Sequence, residues 1–343
     1  MSAAGVQGRL VDEFVLALAA SGASDGWVAA QRGVVAGFAE FVGRPVWWVR
    51  PVDVDGWLVA ARGRGLAVST RAGMAQAVYR FYAFLAARHG PLVEELTGRG
   101  VVQPVDEFNR PRRLPSQVVR VPPSGGEVEA LFTAWRMWLP AAGRSFVFAA
   151  RDYVAASLWR RLGLRMNETV MLQVADWRPD MGVRGMLHVR YGKGSRGRGP
   201  RARLVPAIDG VDRLLGWWLG EVRPQFGDDM AGGAVALLPS QRRVPGSMQQ
   251  RRAGAVALRQ GLAGAVGRWL PGWAGRLTPH TLRHFCASHL YAKGVDLEAI
   301  QGLLGHVWLS TTSAYVHVSA ERVEQCWMEA NARVQERLLG AAW

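Results

Sequence analysis

The sequence predicts a mainly α-helical chain of two domains, the second carrying a small β-sheet or hairpin, and three observations support that reading. Apolar residues recur at the spacing of one helix face over most of the chain. A basic, proline-rich stretch from about Val101 to Pro123 breaks that periodicity. Two short runs, Met186 to Tyr191 and Ala202 to Pro206, alternate or run apolar like strands and are joined by GKGSRGRGPR, whose glycines permit a tight turn. A chain of 343 residues suits two cores. The expected division is a helical domain over residues 1–102, a linker over 103–123 and a second domain over 124–343.

From Leu10 to about His89 the pattern is helical. Leu10, Phe14 and Leu18 share a face, Gly22 stops that helix, and Ser24 or Asp25 can cap a second one carrying Trp27, Val34, Phe38 and Phe41. A third spans roughly Asp53 to Arg62 and ends at Gly63 and Gly65. Ser69 opens a fourth, with Val78, Phe81, Tyr82 and Leu85 on one side. These stripes are read as core. In the linker, Pro104, Pro111, Pro115, Pro122 and Pro123 forbid a continuous helix, while Arg110, Arg112, Arg113 and Arg120 keep it basic.

The second domain opens on Ser124 and Glu127, spaced as a capping box, with Leu131, Phe132, Trp135 and Trp138 following at helical spacing. A long helix from about Ser145 to Leu162 ends at Gly163, which leaves Arg165 in the turn before the next helix with Glu168 near enough to orient it. Further helices are expected over Val211 to Val222, Ser247 to Leu270 and Ala320 to Leu339, with loop from Gly227 to Gly246.

A formal charge of +15 and a pI near 11.1 create a field that attracts polyanions, nucleic acid first. The arginines expected to meet DNA phosphates are Arg62, Arg64, Arg71, Arg80, Arg110, Arg112, Arg113, Arg196, Arg198, Arg242 and Arg243. No apolar run approaches the roughly 18 residues of a membrane span. The first residues lack the order of a signal peptide, so a cytoplasmic, nucleoid-associated location is expected. Cys286 and Cys326 form no CxxC and are read as buried thiols. Lys193 and Lys293 are the two lysines of the chain, which makes a lysine at a hairpin tip conspicuous.

Chemistry concentrates between Leu277 and His317, which holds five of the seven histidines: His280, His284, His289, His306 and His317. If the substrate is a DNA phosphodiester, Tyr315 can attack phosphorus, given a proton acceptor for a phenol whose reference pKa is about 10. Arg165 and Arg283 can fork onto the non-bridging oxygens, and His280, three residues before Arg283, can take the tyrosine proton. His306 can donate to the phosphate, and Lys193 can protonate the leaving 5′ oxygen. Glu168 and His284 are read as supporting residues and His289 as structural.

HTLRH at His280 to His284, LGH at Leu304 to His306 and TTSAYVH ending at His317 resemble the tyrosine recombinases, also called the phage integrase family. GLRMNE at Gly163 to Glu168 is similar to that family's first-arginine motif, and YGKG followed by ARLVP to its lysine hairpin. The motifs lie in family order and span the second domain. The resemblance implies a two-domain, C-shaped DNA clamp, with the helical first domain as core-binding domain. It implies site-specific recombination by a homotetramer on two DNA sites with paired inverted half-sites, through a 3′-phosphotyrosine linkage at Tyr315 and a Holliday junction. No cofactor, neither ATP nor a divalent metal, is implied. The Ala320 to Leu339 helix would dock on a neighbouring protomer, and accessory directionality factors can act on the outcome. No extra domain is expected before Leu10.

Three rival readings accompany it. A type IB topoisomerase uses the same kinds of residue as a monomer. A DNA-binding regulator on the same scaffold would have no use for Tyr315 beside these cations. His280 and His284 at i and i+4 have zinc-compatible spacing, but HTLRH lacks the glutamate of a zinc protease and Arg283 would repel the ion.

Overall fold

The computed structural model describes residues 3–112, 122–192, 201–230, 234–305 and residue 328. These residues fall into two compact units, the first ending at residue 112 and the second beginning at residue 122.

Among the described residues the first unit is built from α1 (Ala3–Ala20), α2 (Asp25–Val42), α3 (Pro51–Gly63) and α4 (Val68–Thr97). Phe14, Phe38, Val78, Phe81, Tyr82 and Leu85 are buried together, so the apolar spacings of α1 and α4 translate directly into core. The rings meet edge to face: Phe14 with Phe81 at 5.4 Å and Phe38 with Trp57 at 4.9 Å between centroids. Tyr82 donates its hydroxyl to the Val46 carbonyl at 2.7 Å, which removes the polar cost of burying a phenol.

Two details differ from the sequence reading. The buried face of α2 is Val28, Gln31, Val35, Phe38 and Ala39, whereas Trp27 and Phe41 are exposed, so the stripe is rotated by about one residue. Helix α4 continues through Pro91 to Thr97, at the cost of one backbone hydrogen bond, and stops at Gly98 in the left-handed region. Beyond α4 the proline-rich stretch folds back on this unit. Val105 is buried in its core, Gln103 donates to the Tyr79 carbonyl at 3.1 Å, and Asp106 accepts from the amides of Phe108 and Asn109.

The second unit opens with the capping box at α5 (Gly125–Trp138): Ser124 Oγ accepts from the Glu127 amide, and Glu127 accepts from the Ser124 amide. Helix α6 (Phe146–Leu162) is buried on nearly every side, as its alanines and its weak apolar periodicity require. Around it stand α7 (Met166–Met171), the antiparallel sheet of β1 (Trp177–Arg178), β2 (Met186–Gly192) and β3 (Arg201–Pro206), and α8 (Val211–Trp217). After α8 the chain passes through a π-turn over Trp218–Val222 rather than continuing the expected α-helix. The hairpin of β4 (Pro239–Arg243) and β5 (Gln250–Arg252) replaces the expected loop and the first turns of the expected helix. Helix α9 (Ala255–Trp269) therefore begins eight residues later than its pattern suggested. Helices α10 (Pro279–Ala292) and α11 (Leu297–Leu304) complete the described part, with α10 packed on α6. The expected helix from Ala320 to Leu339 lies outside the described residues, Met328 apart.

Candidate active site

The site begins where α6 ends. Gly163 turns the chain with φ of +60°, and a Cβ there would collide with the Leu304 side chain, so glycine is what lets the end of α11 approach. The next turn is pinned from below. Trp159 on α6 donates its indole N–H to Thr169 Oγ1 at 2.8 Å, and that hydroxyl donates to the Arg165 carbonyl at 3.1 Å. Arg165 thereby holds a fixed place at the start of α7.

The last carbonyls of a helix have no partner within it and carry the negative end of its dipole. At the end of α11, arginines supply the partners. Arg203 Nε donates to the Leu303 carbonyl at 3.1 Å, and Arg283 Nη2 to the Leu304 carbonyl at 2.8 Å. Arg165 Nη1 donates to the same Leu304 carbonyl at 3.3 Å and its Nη2 to the Gly305 carbonyl at 3.2 Å. Arg283 also donates to the Gly163 carbonyl and is almost wholly buried. Three guanidinium groups from three elements thus converge on one helix terminus.

Glu168 is the counter-charge. Its side chain is 1% exposed and accepts four hydrogen bonds, the full capacity of a carboxylate: Arg165 N at 2.8 Å, Arg165 Nη1 at 2.9 Å, Arg203 Nη1 at 2.9 Å and Arg203 Nη2 at 3.0 Å. Burial alone would raise its pKa. The hydrogen bonds and charge of Arg203, then the amide and charge of Arg165, outweigh that and hold it at about 2. The cluster keeps an excess of two positive charges, as an anion site requires.

His280 is exposed while Arg283, one turn on, is buried, so the two diverge from the shared face that their spacing suggests. His280 and His284 bond to each other through their Nε2 atoms, 3.2 Å apart, one donating and the other accepting, which couples their tautomers. Among the described residues no group of three or more His, Cys, Asp or Glu side chains is gathered as a metal cage. Cys286 is buried beneath Gly163 and its thiol is pushed up to about 12 by burial, as suits a packing residue. Lys193, His306, Tyr315, Cys326, Arg113, Arg196 and Arg198 lie outside the described residues. Arg203 entered the sequence analysis only as part of the strand and of ARLVP, with no role of its own. Its signal is that it stands two residues before the buried Val205 on β3, so a charged side chain leaves the strand on its inward face.

Of the arginines assigned to DNA phosphates, Arg62, Arg64, Arg80, Arg110, Arg112, Arg242 and Arg243 are exposed, while Arg71 is half-buried and bonds the Leu66 carbonyl. Arg80 lies 5.2 Å over the Trp27 ring and Arg110 4.8 Å over that of Tyr79, which spreads their charge across the surface of the first unit. Arg242 and Arg243 sit on the β4–β5 hairpin rather than around a helix. No helix among the described residues is long and apolar enough to cross a membrane.

A mainly helical fold with small antiparallel sheets thus carries a cationic cluster, built on a turn and a helix end, whose excess charge can hold an anion. A sequence profile of the phage integrase family matches residues 127–322, more than half of the chain, and the chain belongs to that family. Tyrosine recombinase XerD of Staphylococcus epidermidis is 32% identical over 184 residues, covering 53% of this chain and 55% of that protein, so the chain spans about half the length of this relative. Tyrosine recombinase XerC of Mycobacterium sp. strain KMS is 29% identical over 277 residues, 81% of each chain. Among solved structures, the XerH site-specific recombinase in a post-cleavage complex with palindromic difH substrate matches with a TM-score of 0.61 at 18% identity, over 87% of this chain and 78% of that one, a likeness of fold.

Proposed function

We propose that this chain is a site-specific DNA recombinase that cuts and rejoins strands through Tyr315. The observation that carries the reading is the edge of Arg165. Glu168 and two carbonyls take both Nη1 protons and one of Nη2, and no described residue takes the N–H of Nε or the second N–H of Nη2. Nε and Nη2 lie on one edge of the guanidinium, the side chain as a whole is about a quarter exposed, and such an edge can match two oxygens of one phosphate. Membership of the family supports assigning that phosphate to the DNA backbone.

In the proposed reaction the Tyr315 oxygen attacks phosphorus, its proton passes to His280, and the bond to the 5′ oxygen breaks as Lys193 supplies a proton to that oxygen. Arg165, Arg283 and His306 hold the charge that grows on the non-bridging oxygens. The 3′-phosphotyrosine linkage conserves the ester, so the 5′ hydroxyl of a partner strand can reverse the step with no external energy. Four protomers on two sites, each with inverted half-sites, would carry out two such rounds through a Holliday junction. Arg62, Arg64, Arg80, Arg110, Arg112, Arg242 and Arg243 would follow the phosphates, a sequence-independent grip. The segment from Ala320 to Leu339 would join neighbouring protomers.

The test is trapping on nicked duplexes carrying candidate inverted-repeat sites from DNA flanking the gene, with chelator present, on a denaturing gel. A covalent band that Tyr315→Phe abolishes supports the reading, and strand exchange between two sites separates a recombinase from a topoisomerase. Binding without a band on every site would overturn it in favour of a regulator.

A further inference from the structure

Arg203 is the one member of the arginine cluster to which the motifs assign no role, and its guanidinium gives Glu168 two hydrogen bonds where that of Arg165 gives one. Its two terminal nitrogens each donate to a different carboxylate oxygen, a fork at 2.9 and 3.0 Å, while its Nε holds the Leu303 carbonyl. It also lies under the turn that follows α11: a Cβ on Gly305, whose φ is +66°, would come within 2.9 Å of Arg203 Nη1. One side chain from β3 therefore links the carboxylate of α7 to the end of α11.

Glu168 is buried and has four acceptor positions, all filled, two by Arg203 and two by Arg165. Take Arg203 away and two positions on a buried anion fall empty, which is costly in a place water does not reach. The other cation paired with Glu168 is Arg165, and the donors that no described residue takes from it are Nε and one N–H of Nη2. Filling the vacancy would turn the outward edge of Arg165 inward and set its charge against Glu168 alone.

On the recombinase reading, on which this inference rests, we infer that Arg203 is a positioning residue: it occupies half of Glu168 and braces Gly305, and so keeps the outer edge of Arg165 presented to the scissile phosphate. It acts through Arg165 and need not touch DNA. Loss of Arg203 should then resemble loss of Arg165 in one diagnostic respect, its dependence on the charge of the phosphate.

The experiment uses the full chain and paired suicide substrates, one with the ordinary phosphate and one with an uncharged methylphosphonate at the scissile position. Wild type, Arg165→Ala, Arg203→Met and Arg203→Lys are compared for the rate of covalent trapping and for DNA affinity. Arg203→Met should bind DNA normally and trap the phosphate substrate on the order of a hundredfold more slowly, the scale of a misplaced reacting group. On methylphosphonate its deficit should shrink, as that of Arg165→Ala should, because less negative charge is left to hold. Arg203→Lys keeps a cation but not the fork, and should show the same selective slowing to a smaller degree; it decides the question if the methionine variant does not fold. Wild-type rates on both substrates, or equal slowing on both, would overturn the inference. Absence of any adduct with the wild-type protein would instead overturn the recombinase reading itself.

Discussion

The two units use the same side chain in opposite ways. In the first, Arg80, Arg88 and Arg110 lie over the rings of Trp27, Phe84 and Tyr79 with their heads in or near solvent. In the second, Arg165, Arg203 and Arg283 point at a helix end and a buried carboxylate, and Arg283 is almost wholly enclosed. An exposed guanidinium keeps its hydration, is screened by salt beyond about 8–10 Å and adds little to stability. One held by a carboxylate and helix-end carbonyls has its direction fixed to within a hydrogen bond. The first arrangement suits a grip on any phosphate backbone, and the second suits one phosphate in one place.

Substitutions should therefore separate the two sets. The largest effect is expected at Arg283. Arg283→Ala removes a donor from the cluster and leaves the Gly163 and Leu304 carbonyls short of a partner. Covalent trapping should fall by about a hundredfold to a thousandfold at unchanged DNA affinity, the scale for a lost charge-stabilising donor. A matching loss of affinity would erase the distinction between the units.

Next comes Glu168. Glu168→Ala leaves Arg165 and Arg203 facing each other without an anion, and urea unfolding should show a loss of about 3–5 kcal/mol, as for other broken buried pairs. Its pH dependence follows from the direction of its shift. The unfolded carboxyl takes up a proton near its ordinary 4.5, but the folded one stays ionised down to about 2, so its contribution is complete above 4.5 and is lost as pH falls toward 2. Asp152 runs the other way: burial, only partly offset by Arg151, raises its pKa to about 6, so its ionisation costs stability as pH rises toward 6. The gap between wild type and Glu168→Gln should consequently narrow between pH 7 and pH 3, and a constant gap would mean that Glu168 is not the paired anion described.

The smallest effect is expected in the first unit. Arg62→Ala with Arg64→Ala should change stability by no more than about 0.5 kcal/mol. It should weaken binding to any DNA and flatten the plot of log affinity against log salt by about one unit per lost phosphate contact. An unchanged salt slope would remove these two residues from the DNA surface.

Much of this was legible before any coordinates. The spacings of Leu10 with Phe14 and of Val78 with Phe81, Tyr82 and Leu85 name buried faces directly, because helix periodicity is local. Ser124 with Glu127, and Arg165 with Glu168, were readable for the same reason, each pair spanning a single turn. Arg203 was not, since its partner Glu168 is 35 residues away and only the β2–β3 pairing brings them together. The β4–β5 hairpin also escaped the sequence reading. Its arginines and glutamines show no alternation, and it is held by distant partners such as the bond from Gln250 to the Phe226 carbonyl. Trp27 and Phe41 misled because large apolar side chains on a helix need not face inward, and α2 buries Gln31 on the face that Trp27 was expected to share.

The most direct measurement of the central claim is the chemistry of the trapped linkage. After nuclease digestion and proteolysis of the covalent complex, mass spectrometry should find one nucleotide-bearing peptide, with the modification on Tyr315. The DNA should be attached through its 3′ phosphate and the released strand should end in a free 5′ hydroxyl. An adduct on any other residue, or a linkage through a 5′ phosphate, would contradict the account.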